Sequence, residues 1–221
     1  MLVLGVAAAP FAAAADSLDA ILARMDASAK KFQSVTATLT QSEYTAVIKQ
    51  MDGPDAGELK IKRSGGHVSA LLSFTGENAH TLAVKGNTGW QYYPKAKTVD
   101  EYSLAKYAGT IDQFLLLAFG TSGSDLRKTY DVSLGGTDSI KGIQAARLVL
   151  KPKTEELKKV ITMIELWIPE GQAAGIQEKV TEPSGNYILA EYSNVKMNPN
   201  LPDSAFDLKL PKDVQVRHPQ K

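Results

Sequence analysis

From Phe32 onward the chain breaks into short runs rich in Val, Ile, Thr, Tyr and Leu, divided by turn residues at a spacing of roughly eight to twelve positions. That spacing leaves little room for anything but sequential strands. The β-prone runs cover 35–48, 59–63, 68–74, 81–85, 90–93 and 99–104, then 130–134, 143–150, 160–168, 175–182, 187–195 and a terminal piece within 206–216. Gly86-Asn87-Thr88-Gly89, Gly135-Gly136, Pro169-Glu170-Gly171 and Pro183-Ser184-Gly185-Asn186 read as turns. Short turns make neighbouring strands pair antiparallel, and a sheet of about eleven strands curls until it closes or half-closes into a barrel. No linker, repeat or low-complexity tract interrupts residues 16–221, so one domain is expected there.

Two segments depart from this texture. Ser17 can cap a helix whose apolar positions, Leu18, Ile21, Leu22, Met25, Ala29 and Phe32, fall on one face. Asp19, Arg24, Asp26, Lys30 and Lys31 take the opposite face, which predicts an amphipathic helix of about four turns. The second segment spans 107–120, where Ile111, Phe114, Leu115, Leu116, Leu117 and Phe119 form a very apolar helical patch between Gly109 and Gly120. It is too short to cross a bilayer. A helix lying across the mouth of a curled sheet buries its apolar face against the strands, and both segments are candidates for that position.

Residues 1–15, MLVLGVAAAPFAAAA, carry no charge and are too short to span about 30 Å of hydrocarbon. They have the character of a signal-peptide h-region, with Ala13 and Ala15 as the small residues before a cleavage at Asp16. Export and removal of this segment are expected.

Composition excludes most chemistries. Lysine and arginine total 25 against 24 acids, so the surface as a whole has nothing to attract a nucleic acid. The absence of cysteine removes disulfides, thiolate catalysis and thiolate metal sites. His67, His80 and His218 lack metal-ligand spacing, and no nucleophile elbow, P-loop or GxGxxG is present. Gly120-Thr121-Ser122-Gly123-Ser124 reads as a helix-ending loop. The acids Glu58, Glu178 and Glu191 are expected on outward strand positions. No enzyme, cofactor or metal is expected.

Three stretches carry a resemblance. They are the first helix running into Phe32-Gln33-Ser34-Val35-Thr36-Ala37-Thr38-Leu39-Thr40-Gln41; Gly57-Glu58-Leu59-Lys60-Ile61-Lys62-Arg63 with Gly86-Asn87-Thr88-Gly89-Trp90-Gln91-Tyr92-Tyr93-Pro94; and Phe206-Asp207-Leu208-Lys209-Leu210-Pro211-Lys212-Asp213-Val214-Gln215-Val216. In order and spacing these resemble the outer-membrane lipoprotein carrier family, LolA, across the mature chain. The resemblance implies a mainly β (α+β) fold: an incomplete antiparallel β-barrel with a helical lid over a hydrophobic cavity. It implies a periplasmic monomer that takes acylated lipoproteins from an inner-membrane ABC transporter to an outer-membrane receptor. It also implies a lid latch at Arg63, where the family has a functional arginine that lies inside and hydrogen-bonds the lid. Ser64, followed by Gly65-Gly66, stands where the family usually has proline, and Lys85 where it often has aspartate.

Arg63 shares a strand face with Leu59 and Ile61, so it either turns inward with them and must find acceptors, or ends the strand and meets water. The expected acyl-cavity lining is Leu59, Ile61, Leu71, Trp90 and Tyr92, although Trp90 and Tyr92 suit a filled core equally well. The expected lid residues are Leu18, Leu22 and Met25 from the first helix and Phe114, Leu115 and Leu117 from the second. Two other functions fit the same shell: a carrier of a glycolipid or isoprenoid lipid, and an envelope-stress regulatory module that senses lipid. The latter is expected to carry a further domain, for which 221 residues leave no room.

Overall fold

The computed structural model describes residues 16–219, so the expected signal peptide at 1–15 lies outside the described residues. The first half of the chain runs α1 (Leu18–Lys31), β1 (Ser34–Thr45), β2 (Gln50–Ser64), β3 (His67–Phe74), β4 (Thr81–Lys85), β5 (Thr88–Tyr93), β6 (Thr98–Ser103) and α2 (Ala108–Leu115). The second half runs α3 (Gly123–Thr129), β7 (Tyr130–Ile140), β8 (Ile143–Pro152), α4 (Glu155–Lys158), β9 (Met163–Pro169), β10 (Gln177–Thr181), β11 (Tyr187–Met197), a 3-10 turn at Asp203–Phe206 and β12 (Gln215–Arg217). All twelve strands, against about eleven expected, join one sheet in the order β12-β6-β5-β4-β3-β2-β1-β11-β10-β9-β8-β7. Neighbours pair antiparallel as the short turns predict, except that β12 runs parallel to β6.

The sheet curls but stays open. Ile61 and Ala70 of β2 and β3 pack in one cluster with Leu148 and Ile164 of β8 and β9, strands far apart in sheet order. Only a curved sheet brings those side chains together. Its edges, β7 and β12, do not pair with each other. The architecture is the incomplete barrel with helices that the sequence implies.

Local chemistry explains the boundaries. Ser17 Oγ accepts the Ala20 N–H at 3.2 Å, Asp19 sits in the first turn of α1, and Lys30 and Lys31 sit in the last, matching the helix dipole at both ends. The β2–β3 hairpin closes on Gly65-Gly66 with φ of +59° and +84°, a pair of left-handed conformations that suits the twist of the flanking strands. Here the departure from the family's usual proline is a tight glycine turn. The segment 107–120 is not one helix: α2 stops at Leu115, and the N–H groups of Gly120 and Thr121 both return to the Leu116 carbonyl, at 2.7 and 3.0 Å. Leu117 therefore lies in a buried turn and not on a lid helix.

Three further expectations are corrected. Gly135-Gly136 is not a turn but falls inside β7, where the register with β8 slips between Leu134 and Thr137. The run 160–168 begins its strand only at Met163, after the short α4. The terminal piece is mostly not a strand: its 3-10 turn packs Phe206 against β3 and β4, and only three residues pair with β6. Lys62 to Asp203 at 2.7 Å and Lys85 to Asp207 at 2.6 Å tie this segment to the outer face of the sheet.

One part of the concave face is filled. Ile21, Leu22 and Met25 of α1 are buried in the cluster that holds Leu148, Leu150, Ile164, Leu166 and Ile168. Leu126 of α3 belongs to the same cluster, and Gly123 lies so close to α1 that an added Cβ would meet the Leu22 backbone at 2.6 Å. Leu18 packs at the edge of this cluster. Thus α1 completes a solid interior, the ordinary role of an amphipathic helix, and does not cap an empty space.

Candidate functional site

The rest of the concave face is not filled. A cavity of about 530 Å³ is bordered by β1 to β6, by β10 and β11, and by α2 with the turn that follows it. Among the described residues, none of α1 or β7 to β9 borders it. Strand register shows why the wall is apolar: Ala37, Leu59, Leu72, Leu82 and Gln91 stand side by side across β1 to β5, with one face toward the interior. Leu39, Ile61, Val84, Val180 and Ala190 extend that wall, and Ile111, Phe114, Leu115, Ala118 and Phe119 cover it.

Leu59 and Ile61 border the cavity. Leu71, Trp90 and Tyr92 do not share their face. Leu71 pairs with Lys60 and Ala83, and Ala83 pairs with Trp90, one step out of phase with the inner row. Leu71 and Tyr92 are absent from the cavity border, where Leu72, Leu82 and Gln91 stand instead. Trp90 touches the border, yet its indole Nε1 donates to Glu101 Oε2 at 2.9 Å in the outer row. Strand side chains alternate between faces, so a one-residue error of phase exchanges the whole set.

Of the lid residues, Phe114 and Leu115 border the cavity, while Leu18, Leu22, Met25 and Leu117 do not. Helix α2 buries none of its residues fully, and Phe114 is 39% exposed. The turn after it is the opposite: Leu116, Leu117, Ala118, Phe119, Gly120 and Thr121 are all buried. Ala118 accepts the Gly175 N–H at 2.7 Å, which fixes the turn to the loop before β10. A loosely seated helix hangs from a firmly anchored turn.

Arg63 stands at the junction of these parts. Its guanidinium donates to the Gly120 carbonyl at 3.1 Å and to the Ala29 carbonyl in the last turn of α1 at 3.4 Å, and it lies over the Phe32 ring at 5.5 Å. The side chain is exposed, not buried inside as the resemblance implies. Its two carbonyl acceptors belong to the helix end and the lid turn. Asp112 of α2 makes a second connection, to β3. Burial pushes its carboxyl above the ordinary range, although the Val68 N–H and the charges of His67 and Arg63 pull the other way.

One polar group lies within the apolar wall. Glu178 of β10, expected on an outward position, is 6% exposed and faces inward between Leu166 and Ala190. Among the described residues its one hydrogen-bond partner is Tyr192, whose hydroxyl donates to Oε2 at a long 3.4 Å. Tyr192 in turn meets Phe119 edge-on at 4.9 Å between centroids. Burial pushes the Glu178 carboxyl up to about 7 against the Tyr192 hydrogen bond. Burial, with the nearby Glu178, also holds the hydroxyls of Tyr192 and Tyr130 above the ordinary phenol range. Sequence reasoning missed Glu178, Tyr192, Leu72 and Leu82; the first could have been found from the phase of β10, in which Val180 and Glu178 share a face.

Fold and site together define a class: an open antiparallel half-barrel whose concave face keeps an apolar cavity beneath a short helix. The model of the family described as outer membrane lipoprotein carrier protein LolA matches residues 30–209, and the chain belongs to that carrier family. An outer-membrane lipoprotein carrier protein of Ralstonia nicotianae (strain ATCC BAA-1114 / GMI1000) is 27% identical over 164 residues, which cover 74% of this chain and 69% of that one. Two solved structures share the fold at low identity. An uncharacterized conserved protein from Thermus thermophilus matches with a TM-score of 0.53 and 14% identity, over 92% of this chain and 99% of its own. MucB matches with a TM-score of 0.51 and 15% identity, over 89% of this chain and 64% of its own.

The buried carboxyl sets a pH dependence. In the unfolded chain Glu178 ionises near 4.5 and in the fold near 7. Below about 4.5 both states hold the proton and stability is complete. Between the two values the unfolded chain releases its proton first, so stability falls as pH rises, and the loss is complete above about 7. Glu178→Gln is expected to flatten that slope and to gain roughly 1–3 kcal/mol over the wild type at pH 8, with little difference at pH 4.5, in urea unfolding followed across pH.

Proposed function

We propose that the mature chain is a periplasmic monomer, one domain freed of a signal peptide at 1–15, that shelters the acyl chains of lipoproteins in its cavity. It receives them from an inner-membrane ABC transporter and yields them to an outer-membrane receptor. The observation that carries this reading is the unfilled apolar space of about 530 Å³ on the concave face, in a chain of the lipoprotein carrier family. Each exposed CH₂ costs about 0.8 kcal/mol in water, so a multiply acylated lipoprotein does not cross an aqueous compartment alone. The same cavity chemistry accepts other hydrocarbon, and a glycolipid or isoprenoid lipid is the second cargo class.

Release needs a term that opposes binding. Helix α2 is the movable part, since it buries no residue fully, and Arg63 is the latch that holds the empty form closed through the Gly120 and Ala29 carbonyls. Cargo that displaces α2 breaks these hydrogen bonds, so part of the hydrophobic gain is offset and affinity stays within reach of a receptor. Hydrogen bonds from a charged donor contribute roughly 1.5–3 kcal/mol each when well formed, and the exposed, longer one to Ala29 less.

Lipid extraction and mass spectrometry of the protein purified from its own periplasm test the cargo. Acylated N-terminal peptides are expected; glycolipid or isoprenoid lipid would replace the lipoprotein reading, and protein free of any lipid would remove it. Arg63→Leu is expected to keep the far-UV circular dichroism of the wild type and to hold acyl cargo up to about tenfold more tightly, slowing transfer to an acceptor. Wild-type transfer rates in that variant would mean that Arg63 is no latch.

A further inference from the structure

Glu178 is out of place in a wall built for hydrocarbon. A carboxyl taken from water is costly wherever its hydrogen-bonding capacity is not met, and this one has one long bond from Tyr192 among the described residues. The residues beside it across the sheet, Leu166 and Ala190, offer no polar atom from their side chains. A leucine here would continue the apolar row and avoid the cost. The position is also not at the exposed end of the cavity, where Glu43 stands in water and Gln41 donates to it at 3.4 Å. Glu178 and Tyr192 both border the cavity from within, with the Tyr192 ring against Phe119 under the lid turn.

What meets this pair is therefore the body of a bound chain and not its charged end. An unsubstituted hydrocarbon lying against Glu178 leaves its second carboxyl oxygen without a partner and gives nothing in return. A hydroxyl on the chain donates to the other carboxyl oxygen of Glu178, Oε1, and leaves the Tyr192 hydrogen bond to Oε2 in place. A cationic group would carry its own desolvation cost into the apolar wall, where nothing else is placed to meet it. We propose that Glu178 and Tyr192 form a polar anchor inside the cavity that selects acyl chains bearing a hydroxyl over unsubstituted ones, an inference that rests on the chain being a lipid carrier. The selection works as specificity generally does, through a penalty on the wrong ligand as much as a gain on the right one.

The test is displacement of a fluorescent acyl probe by octadecanoic, 3-hydroxyoctadecanoic and 12-hydroxyoctadecanoic acids. The wild type is expected to bind at least one hydroxylated chain roughly three- to tenfold more tightly than octadecanoic acid. Glu178→Leu is expected to abolish that preference and to raise the affinity for octadecanoic acid, and Tyr192→Phe, which keeps the ring against Phe119, is expected to weaken the preference. Octadecanoic acid bound as tightly as both hydroxylated chains by the wild type, or a preference that survives Glu178→Leu, would overturn the anchor and leave the carrier reading standing. Failure of all three acids to bind would remove the carrier reading and the anchor with it.

Discussion

A curled sheet whose edges never meet has an apolar concave face that it cannot cover by itself. In this chain that face is covered by two different means. Helix α1, α3 and the buried turn at 116–121 fill the part beside β7 to β9 with interlocked side chains. The part beside β1 to β6, β10 and β11 is covered by α2, a helix of 8 residues without one fully buried side chain, together with Ala118 and Phe119 of the turn that follows it. The cavity is the difference between these two coverings, and the proposed lid, latch and anchor all depend on it.

The energetics of the proposed carriage follow from the asymmetry. The filled side and the continuous ladder from β7 to β6 supply a fold that does not rely on cargo. The empty side can then be governed by small contributions: Arg63 on two carbonyls, Asp112 against the start of β3, and Glu178 with one long bond among the described residues. None of these is large beside the burial of an acyl chain, and a carrier that must let go needs them small.

Much of this was legible in the sequence. The runs at 68–74, 81–85 and 187–195 became β3, β4 and β11 within two residues, because short alternating segments between turn residues have no other stable use. Ser17 and the three- and four-residue spacing to Met25 were enough to place α1. The phase of the strands was harder. Alternation divides β5 into Trp90 with Tyr92 and Gln91 with Tyr93, but it does not say which pair faces in. Both faces of this sheet hold large apolar groups, since the C-terminal segment brings Phe206 onto the outer one. The bulkier pair was therefore the wrong guide. Glu178 was hidden by the rule that charged side chains face water, which fails where a site holds one inside. The role of α1 could not be separated from that of α2 by composition, because plugging a core and covering a cavity call for the same residues.

The central claim is that hydrocarbon enters the space under α2 and nowhere else. An octadecanoic acid carrying a nitroxide near its methyl end, added to protein with labelled methyl groups, tests this by paramagnetic broadening in NMR spectra. Broadening is expected at Leu39, Leu59, Ile61, Leu72, Leu82 and Leu115, with Leu148, Leu150 and Ile164 of the filled side left sharp. Equal broadening of both sets, or loss of signal confined to the exposed Val47 and Ile48, would contradict the account.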